Sequence, residues 1–162
     1  MKTSTDVQER LKFLQRVIKK EIDHLNYAAE QVFAETLTLN AVKTLDANRE
    51  FAMQVEAFTS RFCRLQDTLG DKLLPALLSA LGEPERALLI NLDKAEKYGW
   101  LDSTDRWMAI RQLRNLMIHE YIEDPMTLLD ALTSAYTNIT VLTHFADRLS
   151  AQVDEVTCTN RP

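Results

Sequence analysis

Apolar residues at Leu11, Leu14, Ile18, Ile22, Leu25, Ala29 and Val32 recur in steps of three and four, so they line one face of a single long helix. Thr5 or Asp6 is the natural cap at its start. Residues 36–45 lose this pattern, carry several β-branched side chains and predict a break. A second helix is expected over 46–69, with Phe51, Val55, Phe58, Phe62 and Leu65 on its buried side. Gly70-Asp71 reads as a stop and a new cap. Residues 73–81 then form a short apolar helix with Pro75 near its start and Gly82 at its end. Pro84 suits the first turn of the next helix, which carries Leu88, Leu89, Leu92, Ala95 and Tyr98 and is closed by Gly99. Asp102 or Ser103 caps another helix, which must end before Pro125. Asp124-Pro125 opens a last helix striped by Leu128, Leu132, Tyr136, Ile139, Leu142, Phe145 and Leu149.

Composition agrees with this pattern. The 162 residues include only three glycines and four prolines, too few for a turn-rich β protein. The expected fold is therefore all-α, an antiparallel up-and-down bundle of about four to six helices. One domain covers 1–162, with about 1–5 and 153–162 expected to fray. A formal net charge of −5 excludes nucleic-acid binding through an overall basic field, so any such contact must be local or shared between chains. Cys63 and Cys158 stand far apart and show no metal-like spacing. Residues 1–10 are polar, and no apolar run approaches the roughly 20 residues of a membrane span. A soluble, cytoplasmic protein is the expectation, with no membrane partner.

One helix carries the chemistry. At about 100° per residue, Trp107, Ile110, Leu113, Met117 and Tyr121 fall within about 60° of a common direction. Arg114 falls inside that apolar arc, at about 40°. A guanidinium there must meet an acid, line a polar cleft or enter an interface. Arg111, Asn115 and His119 fall on the opposite side. Arg114 and His119 are about 140° apart, too far to aim at one spot from one straight helix. Between Arg106 and His119 lie three arginines and no acid, a basic segment in an acidic chain. Pairing of Arg106 and Arg111 with acids on neighbouring helices is the plain structural account of it.

The run Arg114-Asn115-Leu116-Met117-Ile118-His119-Glu120-Tyr121 resembles the motif of the HepT-like branch of the HEPN family: arginine, a polar residue, three more, histidine, one more, tyrosine. Its place late in a small helical chain, followed by Asp124-Pro125 and another long helix, adds to the likeness. The resemblance implies an up-and-down bundle like that of HEPN and nucleotidyltransferase substrate-binding domains. It implies the toxin of a type VII-like toxin–antitoxin pair: a metal-independent endoribonuclease with no cofactor, working as a homodimer on RNA. It further implies a minimal nucleotidyltransferase antitoxin of the MNT type that transfers AMP to Tyr121. In that scheme Arg114 and His119 are catalytic, and Asn115 and Arg111 support them.

The residue types suit this chemistry. Attack by a 2′-hydroxyl needs a base, an acid for the departing 5′-oxygen, and a cation for the phosphate. Histidine serves as base or acid near neutral pH, and arginine holds phosphate through paired hydrogen bonds. One chain offers one motif histidine, whereas a two-fold dimer offers two. Plainer readings stand beside this one. His119 can be a helix-end histidine, and Tyr121 a core residue. His24 follows Glu21 at the three-residue spacing of di-iron bundles, but Val141 precedes His144 at that spacing, so no matching pair exists and no metal is expected. The rival function is a non-catalytic accessory subunit of a nucleotidyltransferase.

Overall fold

The computed structural model describes residues 4–119 and 123–158. Among them the chain is helical throughout, with no strand. The helices are α1 (Ser4–Val32), α2 (Leu39–Lys43), α3 (Arg49–Asp67), α4 (Leu74–Ala80), α5 (Leu88–Lys97), α6 (Thr104–His119), α7 (Pro125–Thr137) and α8 (Ile139–Cys158). A π-helical turn, Thr68–Leu73, joins α3 to α4 without a break. With α3 to α4 taken as one run and the short α2 set aside, six principal helices make an all-α bundle.

Most of the long stripe of α1 is buried as its spacing predicts: Leu11, Leu14, Ile18, Leu25, Ala29 and Val32 are inside, and Ile22 is only partly buried. They pack chiefly on α3, whose Val55, Phe58, Phe62 and Leu65 face them. The break expected in 36–45 is present, and α2 starts inside it from Thr38, whose hydroxyl accepts from the Ala41 N–H. α3 begins at Asn48, whose side chain accepts from the Phe51 N–H.

Gly70 does not stop the helix. Leu69, Leu73, Leu74 and Leu77 stay buried across it, so the apolar face continues and the π turn rephases it by a residue. Positive φ occurs only at Gly82 and Gly99 among the described residues. Gly70 instead gives room: a Cβ there would lie 3.4 Å from Leu88 and 3.5 Å from Trp107. Gly82 and Gly99 do end helices, each in a Schellman turn. Glu83 N–H donates to the Leu78 carbonyl, and Trp100 N–H to that of Ala95.

Pro84 does not open a helix. Ala87 is extended, and α5 starts only at Leu88. Glu83 is held there by Lys94 and by the Tyr98 hydroxyl, which fixes 83–87 as a strap across α5. The single last helix expected from Pro125 is two helices. Asn138 turns its side-chain amide onto the Ser134 carbonyl at 2.8 Å and accepts from Arg106 at 3.1 Å, competing with the backbone ladder. Tyr136, expected in the core, is exposed and stacks on Phe33 with centroids 4.1 Å apart. The fraying expected from 153 does not begin there: α8 runs to Cys158, with Val153 and Thr157 buried. At the other end, α1 already includes Ser4 and Thr5. Among the described residues, no helix is long and apolar enough to cross a membrane.

Candidate functional site

The motif helix is α6. Ser103 opens it by accepting from the Arg106 N–H at 3.1 Å, which settles the cap between the two residues that the sequence offers. Thr104 is buried and donates to Glu96 on α5. Trp107, Ile110 and Met117 are buried, and Leu113 packs partly against the core. Trp107 meets Phe145 of α8 edge to face at 4.9 Å. These contacts fix the rotation of α6, and so decide where each motif side chain points.

Arg114, expected inside the apolar arc, stands at its half-open rim instead, and it meets an acid. Its Nη1 donates to Asp67 Oδ2 on α3 at 2.7 Å. Both side chains keep about a third or more of their surface, 42% and 35%. A pair this wet contributes no more than about 1 kcal/mol. It orients the guanidinium without committing it. Arg111 approaches Asp71 more loosely, at 3.9 Å, and is half-buried rather than on an open polar face. Arg106 bonds to the Asn138 amide rather than to an acid.

Asn115 and His119 are exposed, on the side of α6 away from the core, and neither lines the cavity described next. Arg114 and His119 are therefore not brought together on this chain. Between Asn115 and His119, Leu116 and Ile118 are also exposed, at 37% and 48%. Tyr121 lies outside the described residues.

Arg114 opens onto a cavity of about 680 Å³ between α3 and α6. Arg64, Lys72, Thr59, Ser60 and Thr68 contribute polar groups, Glu56 and Asp67 contribute acids, and Met117 and Ile118 form an apolar side. Cys63 also lines it, but burial pushes its thiol up to about 11, which keeps it protonated and poorly nucleophilic. Reading the motif on its own helix misses Asp67, Arg64 and Lys72. The four-residue step from Arg64 through Thr68 to Lys72 does not set them apart from other surface cations, and Asp67 carries no signal of its own.

Glu21, the acid of the considered metal spacing, is occupied otherwise. Its Oε1 accepts from Thr68 at 3.0 Å, while Oε2 is buried without a hydrogen bond. His24 is exposed. Among the described residues, no group of three His, Cys, Asp or Glu side chains could hold a metal ion. Burial raises the Glu21 carboxyl above the ordinary glutamate range, against smaller opposing effects from Thr68 and nearby Arg64, Lys72 and Arg61. The fold therefore favours the protonated form. That contribution is present in acid and is lost as pH rises through the raised value. Glu21→Gln should accordingly stabilise the protein at pH 7, and the gain should vanish near pH 4. Urea unfolding at both pH values checks this. A gain that persists in acid, or a loss at pH 7, would refute the burial account.

Compared with family models, with curated proteins and with solved structures, the chain finds no match.

Proposed function

We propose that this protein is a metal-independent endoribonuclease of the HEPN type, the toxin of a toxin–antitoxin pair, acting at a site composed by two copies of the chain. The observation that carries this reading is the outer edge of α6. There Asn115 and His119, the polar half of the motif, are exposed, flanked by exposed Leu116 on one side and by Ile118 at the cavity rim on the other. Apolar side chains exposed around a histidine are what an interface covers. A two-fold contact through that edge sets two His119 side chains near each other.

The chemistry then divides simply. His119 of one copy takes the proton of the 2′-hydroxyl, whose oxygen attacks phosphorus. His119 of the other gives a proton to the 5′-oxygen as its bond to phosphorus breaks. Arg114 keeps Asp67 on Nη1 and turns its remaining N–H groups to the phosphate, and Asn115 orients the substrate or an imidazole. The products are a 2′,3′-cyclic phosphate and a free 5′-hydroxyl. AMP placed on Tyr121 by a partner nucleotidyltransferase adds bulk and negative charge two residues from His119 and shuts the site.

Incubation of the purified chain with RNA tests this reading. Cleavage leaving cyclic phosphate ends, and lost in His119→Ala, is the expected result. Cleavage that survives His119→Ala would refute the assignment. Intact mass after incubation with the antitoxin and ATP should rise by one AMP, and Tyr121→Phe should not gain it. The second reading, an accessory subunit of a nucleotidyltransferase, draws on one observation: Arg106, Arg111 and Arg114 all have partners within the chain. An intact RNA substrate after incubation with the wild-type chain would favour it.

A further inference from the structure

The cavity between α3 and α6 holds cations that the cleavage chemistry does not use. Arg64 and Lys72 line it beside Arg114. Both are exposed, and among the described residues neither has a carboxylate within ion-pair distance. They stand eight residues apart on one continuous helical run, with Thr68 between them, so about 12 Å separates their backbones. Ser60 and Thr59 add hydroxyls along the same wall. Of the two lining acids, Asp67 is already paired with Arg114, which leaves Glu56. Unpaired cations and hydroxyls spaced along a trough suit a string of phosphates more than a single small anion.

We infer that this cavity is the track for the phosphodiester backbone of single-stranded RNA leading to Arg114, with Arg64 and Lys72 each holding one phosphate away from the bond that is cut. The inference rests on the ribonuclease reading for its substrate, but it concerns different residues. Met117 and Ile118 supply the apolar side against which a ribose or base can lie. Ile118 borders the cavity one residue before His119, which itself lies outside the lining. Glu21 stands near Arg64 and Lys72 and accepts from Thr68. As a half-buried acid it tempers the trough without pairing either cation.

The test is RNA binding by the His119→Ala chain, which holds substrate without turning it over. Fluorescence anisotropy with a labelled single-stranded oligonucleotide is measured across a salt series. Each phosphate contact contributes about 0.7 to the slope of log affinity against log salt on single strands. Adding Arg64→Gln or Lys72→Gln should flatten that slope by about 0.7 each, and both together by about 1.4. Lys97→Gln, an exposed lysine on α5 outside the cavity, controls for net charge and should change little. AMP as competitor should displace the strand poorly, because it reaches one cation only. An unchanged slope in the double variant, or displacement by AMP as effective as by the oligonucleotide, overturns the track. Cleavage by the wild-type chain is scored separately. Cleavage with an unchanged double-variant slope fails the track alone. Binding that depends on Arg64 and Lys72 without any cleavage fails the ribonuclease reading alone. A chain that neither binds nor cuts RNA fails both.

Discussion

Replacing Leu116 and Ile118 together by aspartate should leave a folded monomer that has lost RNA cleavage by about a hundredfold or more. The magnitude is that of one missing proton-transfer group, about 10² to 10⁴ in rate. The argument starts from exposure. Both side chains stand substantially in solvent, so aspartate costs the isolated chain little. In a two-fold contact the same substitution sets carboxylates against apolar surface and against each other, which a closed interface does not tolerate. Sedimentation should show the shift from dimer to monomer, and helical circular dichroism should be unchanged. Arg114, Asn115 and His119 remain in place in this variant, and Leu116→Asp alone, which leaves the cavity-lining Ile118 untouched, separates loss of assembly from loss of substrate contact. Full cleavage by a chain that sediments as a monomer would mean that one copy suffices. The division of Arg114 from His119 across α6 would then need another remedy, a local deformation of the helix end.

The sequence reveals most where the controlling interaction is local. The stripe of α1, the ends at Gly82 and Gly99 and the caps at Ser103 and Asp124 follow from spacing and from one or two nearby groups. It reveals less where a distant contact decides. Gly70 looks like a stop because glycine usually is one, and only the arrival of Trp107 and Leu88 against it shows why the helix continues. Asn138 looks like one polar position in a stripe, yet its amide and Arg106 of α6 divide α7 from α8. Pro84 is a good first-turn residue, but the ties from Glu83 to Lys94 and Tyr98 hold its segment extended.

The site divides in the same way. Helical geometry places Arg114 inside the buried face and His119 opposite; His119 is exposed as that requires, while Arg114 is only half-buried. Geometry also requires a partner for Arg114, but it cannot name Asp67, which is 47 residues away in the chain. Arg64 and Lys72 are still less legible. Nothing in the spacing of α3 singles them out from other surface cations until α6 packs beside them and closes a cavity. Arg111 shows the limit from the other side: a position that reads as solvent-facing is drawn into half-burial near Asp71.

Trp107 is the residue on which this placement depends, and Trp107→Ala should cost about 3–5 kcal/mol. It is 1% exposed and among the largest fully buried side chains. Its ring fills the space that Gly70 leaves on the π turn and meets Phe145 of α8. One side chain thus joins α6 to the α3–α4 run and to α8. Removing it opens a cavity that backbone on the Gly70 side cannot readily close, because a π turn already shapes that wall. For a chain of this length the expected fall in melting temperature is about 6–20 °C. Gly70→Ala is a milder probe of the same contact. Its Cβ would rest at ordinary van der Waals distance from Trp107 and Leu88, so the effect should stay within about 1 kcal/mol. Denaturant unfolding of the two variants gives both numbers. A Trp107→Ala loss below about 1 kcal/mol would show that Ile110 and Met117 hold α6 without it. The orientation of Arg114 toward Asp67 and of His119 toward solvent would then rest on the far end of the helix rather than on its indole anchor.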